Sequence, residues 1–363
     1  MEALLKTLSA RGIELWLQNN ELHYKAPKFT LDDKTRGEIK RNKADIIAYL
    51  KREDLFLDNN DGGQNTGASA AAIQAHYDTG NDFYQLWLDP SLTYSCALFS
   101  EEDIASGETL NEESFALSQL KKIDYHAEQA RVKADMRVLD IGCGWGSMLS
   151  RLVAKYQVAQ AVGLTLSRAQ WQYIQQLKLP RASVCLESWP NHVGDGVYDA
   201  IVSIGAMEHF VKPNTPSEKR LLAYKSFFSH CRRLLKPGGF LSLQTMAYNI
   251  GQFHAGALAT IFPESDLPKL SELVEAADDD FTIVQLRNDP SHYSLTVKHW
   301  QEKFLRNRER LVDLVGQDRV KQYERFFTEG IWAYDNGIFN LFRITFQSNE
   351  TQVLTSLDKL DSQ

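Results

Sequence analysis

The stretch that most constrains this chain is "MRVLDIGCGWGSMLSRLVAKY", residues 136–156. Val138, Leu139 and Ile141 read as a short buried strand. Gly142, Gly144 and Gly146 then carry the chain through a tight turn into a helix that begins near Ser147. Glycines suit such a turn because side chains would hold a ligand away from the backbone. The spacing alone also fits dinucleotide enzymes. Asp140, directly before the first glycine, separates the two cases. A carboxylate there repels a pyrophosphate at the helix N-terminus. It attracts a ligand with a cationic end and no phosphate. S-adenosylmethionine, with its sulfonium and ammonium, is a ligand of that kind.

Four further strands follow in order. "AQAVGLTLS" (159–167) ends in Thr165 and Ser167, with Gln170 beyond, where a carboxylate for ribose hydroxyls is usual. "ASVCLESW" (182–189) offers Glu187 and Trp189 at its end, the latter suited to stacking on adenine. "YDAIVSIGAMEHF" (198–210) is apolar until Glu208, and a bare carboxylate at the end of a core strand costs several kcal/mol unless it is paired or used. "GGFLSLQTMAY" (238–248) follows the turn "LKPGG". Strands alternating with helical segments such as 218–234 predict a parallel sheet with ligands at its C-terminal edge. Glu208 and Gln244 are then expected to point at that crevice.

The 363 residues allow one large domain and an appendage. A net charge of −7 argues against a nucleic-acid footprint and leaves at most peripheral contact with an anionic membrane. No apolar run approaches the roughly 18 residues of a membrane-spanning helix. "MEALLKTLSARG" lacks the layout of a signal peptide. Cys96, Cys143, Cys185 and Cys231 lie far apart, without metal-type spacing, and read as reduced thiols of a cytoplasmic protein with no metal. Residues 55–72, rich in Asn, Asp, Gly, Ser and Ala, read as a linker between a unit at 1–54 and a domain at 73–363.

In the small unit, Leu4, Leu5 and Leu8 predict a short helix stopped by Gly12. Ile13, Leu15 and Leu17 alternate on one strand, Leu22 and Tyr24 on the next, with Asn19-Asn20 between them. Helical sequence follows, capped by Thr30 or Asp32 and striped by Ile39, Ile46, Ile47 and Leu50. The tokens "ARGIELW", "LHYKAPK" and "NKADIIAYL" resemble the N-terminal docking domains of nonribosomal peptide and polyketide synthase subunits, of the tubulysin type. The resemblance implies recruitment to an assembly-line subunit through residues 1–54.

From about residue 74 to 347, "HYDTGNDFYQLWLDPSLTYSCALF", "MRVLDIGCGWGS", "VGLTLSRAQ", "VSIGAMEHF" and "LLKPGGFLSLQT" resemble, in order and spacing, the cyclopropane fatty acid synthase and mycolic acid methyltransferase family. The resemblance implies a class I methyltransferase: a Rossmann-like α/β fold with a seven-stranded, mostly parallel sheet and helices on both faces. It implies S-adenosylmethionine as cofactor, contacted by Tyr94, Ser95, Asp140, Gly142, Gly144, Thr165, Gln170 and Trp189. Cys96, Glu208 and Tyr293 match positions that hold bicarbonate in the synthases. Gln244 stands where those enzymes have a histidine, and glutamine takes no proton near neutral pH, which puts bicarbonate and ring closure in doubt. The family's lipid-binding N-terminal segment is replaced by the docking-like unit.

The expected substrate is an unsaturated or otherwise nucleophilic acyl chain on a carrier protein. Its carbon attacks the methyl in line, a cation forms, and a base removes a proton. Glu208 is expected to be that base or to position it, with His76 and His209 as lesser candidates. Tyr77, Phe83, Tyr84, Trp87 and Phe210 are candidates to stabilise the cation. Residues 250–330 are expected to form a helical cap, in which Phe253, Leu258, Ile261 and Phe262 suit an acyl pocket or plain core alike. Alternatives are cyclopropanation of phospholipid, N- or O-methylation of a small product, and a scaffold with a degenerate cofactor site.

Overall fold

In the computed structural model, the described residues are 14–18, 21–25, 33–43, 46, 67–77, 79–251 and 256–349. They belong to two compact units, residues 1–65 and 66–363. In the first, β1 (Glu14–Gln18) and β2 (Glu21–Lys25) pair antiparallel. Their register sets Leu15 opposite Tyr24 and Leu17 opposite Leu22, the alternation expected from sequence. A helix spans Asp33–Arg41, and Ile46 beyond it is fully buried. The helix expected at Leu4–Leu8, the Asn19-Asn20 turn, Ile13, Thr30, Asp32, Ile47 and Leu50 lie outside the described residues.

The second unit is built on seven strands: β3 (Arg137–Ile141), β4 (Gln160–Thr165), β5 (Ala182–Leu186), β6 (Tyr198–Ile204), β7 (Leu235–Tyr248), β8 (Phe281–Asn288) and β9 (Phe339–Ser348). Their order is β5-β4-β3-β6-β7-β9-β8, with only β9 running against the rest. This is the doubly wound, mostly parallel sheet that the sequence resemblance leads one to expect. The strand order reverses between β3 and β6, and such a switch point opens a crevice at the carboxyl ends of the strands.

Period-two alternation divides the core between the two faces. Val138, Ala200 and Val202 pack with Ile123, Leu149 and Leu152 from the helices Glu112–Gln129 and Ser147–Ala154. Leu139, Ile141 and Ile201 face the opposite layer, with Phe227, Cys231 and Leu273 from the helices Ser217–Leu234 and Leu270–Ala277. A third, aromatic cluster joins residues 83–99 to the helices Pro290–Arg306, Arg308–Val315 and Gln317–Asp335.

The structure corrects several sequence expectations. Residues 70–72, read as linker, open the helix Ala70–Tyr77, consistent with the helix preference of alanine. "LKPGG" is the first part of β7, where Gly238 has φ +72° and the pairing with β6 slips between Tyr198 and Ala200. The span 250–330 is only partly a cap. Its helix Leu270–Ala277 packs on Ser217–Leu234, and its β8 is the outer strand of the sheet. "FTIVQLRN" buries Phe281 and leaves alternate residues exposed, as an edge strand covered on one face does. The segment "IFNLFRITFQS" was expected as hairpin strands but forms the single strand β9 between β7 and β8.

Candidate active site

At the C-terminal end of β3 the chain turns on three glycines with positive φ: Gly142 (+84°), Gly144 (+53°) and Gly146 (+84°). A Cβ on Gly142 would sit 2.7 Å from the Ala206 Cβ, so the turn after β3 and the segment after β6 approach as closely as they do only with glycine there. Nothing lies within 4 Å of where a Cβ on Gly144 would be, and that opening is part of a cavity. All eight residues expected to hold the cofactor line this cavity. Asp140, Gly142 and Gly144 come from β3 and its turn, Thr165 and Gln170 from the end of β4 and the next helix. Trp189 closes one side against Phe210 and Phe227, and Tyr94 and Ser95 close another.

Each is fixed locally. The Thr165 hydroxyl donates to Gln170 Oε1 at 2.7 Å, and the Ser167 hydroxyl accepts from the Gln170 N–H at 3.2 Å to cap the helix Arg168–Leu177. Glu187 also lines the cavity, with Oε1 2.6 Å from His192 Nδ1. Cys185, Glu187 and His192 bring ligand-type atoms within 4.8 Å of one another, a cluster that cysteine-to-cysteine spacing does not reveal. Asp140 is buried, and burial lifts its carboxyl to about 7, with Lys122 opposing. These residues fit a ligand with an adenine, a ribose and a cationic end: an aromatic face, polar groups at the β4 end and a buried acid are in one cavity.

A second, larger cavity of about 390 Å³ adjoins the first. Tyr77, Tyr94, Gly205 and His209 line both. Its walls are mostly apolar and aromatic, including Phe262, Trp300, Tyr334 and Phe339, and the half-exposed Trp332 belongs to its lining. Of the cap residues expected for an acyl pocket, Leu258 and Phe262 line it, Ile261 is core, and Phe253 lies outside the described residues.

Glu208 lines this second cavity, though not from a strand end. β6 stops at Ile204, Gly205 turns with φ +67°, and Glu208 sits in a 3₁₀ turn at Met207–His209. The turn is pinned where the Asp266 N–H donates to the Glu208 carbonyl at 3.1 Å. Asp266 is itself held by buried Arg220 and by the Tyr248 hydroxyl at 2.7 Å. Glu208 Oε1 accepts from the Met246 N–H at 2.7 Å, and Oε2 is buried without a partner. Burial raises this carboxyl to about 7. The Tyr94 and Tyr334 hydroxyls, from residues lining the same cavity, are likewise buried and unpartnered. Tyr293 lies there too, its ring 4.8 Å from that of Tyr334 and its phenol kept protonated by burial.

Three expected residues are elsewhere. Gln244 does not reach the crevice: Oε1 accepts from Arg343 Nε at 2.9 Å and lies 3.3 Å from His126 Nε2. Cys96 is turned to the same guanidinium, 3.5 Å from Arg343 Nη2, and burial lifts its thiol to about 11. Arg343 is ion-paired with Asp289, and this buried cluster engages the two groups the sequence reading had assigned to the crevice. His76 is buried among aromatic rings, 4.1 Å from Phe262 and 4.5 Å from Tyr77, with both nitrogens unpartnered and the ring held neutral by burial. Neither cavity includes it. Bicarbonate therefore does not fit as expected, because only Glu208 and Tyr293 of its four positions face the cavity. Among the cation candidates, Tyr77 lines both cavities and Phe210 the first, while Phe83, Tyr84 and Trp87 are core. His209 lines both cavities, its Nδ1 2.6 Å from the Ser265 hydroxyl, and burial lowers it to about 4. Sequence reading missed Lys122, a buried lysine on the first cavity. A charge among Phe115, Ile123 and Ala127 on the buried face of its helix was the available signal.

Comparison with known proteins agrees with this architecture. A family model described as mycolic acid cyclopropane synthetase matches residues 64–344, and one described as the TubC N-terminal docking domain matches residues 1–52. Cyclopropane mycolic acid synthase 1 of Mycobacterium tuberculosis is 33% identical over 297 residues, spanning 76% of this chain and 93% of that protein. The crystal structure of mycolic acid cyclopropane synthase CmaA1 complexed with SAH and CTAB superposes with TM-score 0.67 at 31% identity, over 78% of this chain and all of that one. Coclaurine N-methyltransferase bound to N-methylheliamine and SAH shares the fold, with TM-score 0.64 at 18% identity over 86% and 94% of the two chains. With that family model matching residues 64–344 and a relative 33% identical over 297 residues, the chain belongs to the mycolic acid cyclopropane synthetase family.

Proposed function

We propose that this protein is a C-methyltransferase that methylates an electron-rich carbon of an acyl intermediate tethered to an assembly-line carrier, to which residues 1–54 recruit it. The observation that carries the reading is the junction of the two cavities, where an orphaned carboxylate oxygen of Glu208 faces the apolar one. S-adenosylmethionine, when bound, supplies an electrophilic methyl. Asp140 takes its cationic amino-acid end, Thr165 and Gln170 its ribose, and Trp189 its adenine. The Gly144 opening lets the backbone approach it.

The apolar cavity holds the acyl chain with its reactive carbon at the junction, between Tyr77, Tyr94 and His209. Alignment of the two reactants is the main source of rate, because little covalent chemistry falls to the protein. As the substrate carbon gains its methyl, positive charge develops on the neighbouring carbon. The faces of Tyr77, Tyr94 and Tyr293 and the carboxylate of Glu208 stabilise it. Glu208 Oε2 then accepts a proton from the substrate chain. With its carboxyl near 7, Glu208 is poised to take a proton near neutral pH. Since Gln244 and Cys96 are engaged by Arg343, no step runs through bicarbonate. The expected product is a methylated alkene.

Family membership supports a second reading, cyclopropanation of unsaturated phospholipid. Turnover of the full chain on two substrates separates them: an unsaturated acyl chain on a carrier protein, and unsaturated phospholipid in vesicles. Activity confined to the carrier supports the proposal. Activity confined to vesicles overturns it.

A further inference from the structure

We propose that Cys185, Glu187 and His192 form a binding site for one thiophilic divalent cation of the zinc class at the rim of the first cavity, with Tyr198 orienting the imidazole. The site does not depend on what fills that cavity.

One short segment supplies all three ligands. β5 is an outer strand of the sheet, and side chains two apart on a strand share a face, as Cys185 does with Glu187 just past the strand end. The 3₁₀ turn Trp189–Asn191 then folds the chain back, and the His192 N–H donates to the Trp189 carbonyl at 3.2 Å. Cys185 Sγ, a Glu187 carboxylate oxygen and a His192 ring nitrogen thereby come within 4.8 Å of one another. Glu187 Oε1 lies 2.6 Å from His192 Nδ1, and the Cys185 thiol is hydrogen-bonded to the Glu187 side chain.

A sulfur, an imidazole nitrogen and a carboxylate oxygen are the donor types of zinc sites, and three protein ligands leave a fourth position for water. Magnesium and calcium take oxygen donors, and a thiol does not suit them. Outside the three, the Tyr198 hydroxyl lies 2.7 Å from His192 Nε2, and Tyr198 is 3% exposed. A ligating histidine almost always has its other ring nitrogen held in this way, which fixes the ring and aims the free nitrogen at the ion. Cys185 and Glu187 are partly exposed, and Glu187 lines the cavity, so an ion reaches them from solvent.

Protons alone also bridge these atoms, one between thiol and carboxylate and one between carboxylate and imidazole. A chain built only for hydrogen bonding gains little from a thiol, which is a weak donor. Metal binding releases the thiol proton to solvent and leaves Nδ1 as a lone pair, with the imidazole proton on Nε2 facing Tyr198. Sulfur, carboxylate and Nδ1 then each give the cation an electron pair.

Cobalt(II), a spectroscopic stand-in for zinc, tests the site in the full chain. Wild type is expected to bind one equivalent with a thiolate-to-cobalt charge-transfer band. Zinc is expected to abolish the band by displacement, and a large excess of magnesium is expected to leave it. Cys96, Cys143 and Cys231 are buried, so the band reports Cys185. Cys185→Ser is expected to lose it. Tyr198→Phe is expected to keep it and to weaken zinc binding by about tenfold to a hundredfold, the usual worth of such an outer partner. A measurement on wild type needs no variant: bound zinc is expected to protect Cys185 from iodoacetamide, read by peptide mass spectrometry. No charge-transfer band in wild type, a band that survives in Cys185→Ser, displacement by magnesium, or alkylation of Cys185 indifferent to zinc overturns the site. Unchanged zinc affinity in Tyr198→Phe overturns the role of Tyr198.

Discussion

Glu208→Gln should raise stability while it removes turnover. The side chain is 6% exposed, with one oxygen on the Met246 N–H and the other unpartnered. Burial moves its carboxyl from 4.5 to about 7. A carboxyl raised on folding stabilises the native state only while protonated. That contribution is complete below pH 4.5 and is lost as pH rises to about 7. At about 1.4 kcal/mol per pH unit, the interval amounts to about 3 kcal/mol against the wild type at pH 8. Glutamine keeps an acceptor for Met246 and carries no charge. The variant should therefore be more stable than wild type at pH 8 by up to about 3 kcal/mol, and the gap should close toward pH 4.5. Turnover should fall by about 10²–10⁴, the usual worth of a positioned base, with cofactor affinity little changed. The wild-type rate should rise with pH to a plateau above about 7, and the residual rate of the variant should be flat. Urea unfolding and initial rates, each across pH 5–8, read both effects. Wild-type turnover in the variant refutes Glu208 as proton acceptor. Lower stability than wild type at pH 8 refutes the raised carboxyl.

Gly142→Ala, forced to φ +84° with its Cβ 2.7 Å from the Ala206 Cβ, should cost about 1–3 kcal/mol and weaken S-adenosylhomocysteine binding in titration. Gln244→His should give no bicarbonate-dependent rate, since position 244 meets Arg343 and not the cavity; stimulation by added bicarbonate would refute that placement. Arg343→Met, which leaves Asp289 only its pairing with Arg287 and releases Gln244 and Cys96, should cost about 1–3 kcal/mol in urea unfolding.

The sheet and the cofactor cavity were legible because they rest on local signals. Apolar runs bounded by turns identify β3 to β7, and six of the eight expected cofactor positions lie at strand ends or within a few residues of them, whereas Tyr94 and Ser95 follow no strand and came from the family resemblance alone. The second, apolar cavity was much less legible. Its walls bring Met246 and Glu208 together with Trp300, Tyr334 and Phe339, groups that meet only after helices distant in sequence pack. Gln244 and Cys96 were misplaced for a related reason. Position along a strand says which face a side chain takes, but not that a guanidinium 99 residues away will claim its oxygen. Residues 281–288 were lost in the cap because their alternation is that of a strand covered on one face, within a stretch otherwise read as helical.

Transfer from methyl-deuterated S-adenosylmethionine to an unsaturated acyl chain on a carrier protein tests the central claim most directly. Mass spectrometry of the product counts the deuterons, and an alkene-specific reaction reports the double bond. The account requires every deuteron of the methyl to be kept and the alkene to survive, because Glu208 takes its proton from the substrate chain. Loss of one deuteron with consumption of the alkene would mean that the proton leaves the transferred methyl and a ring closes, which would contradict it.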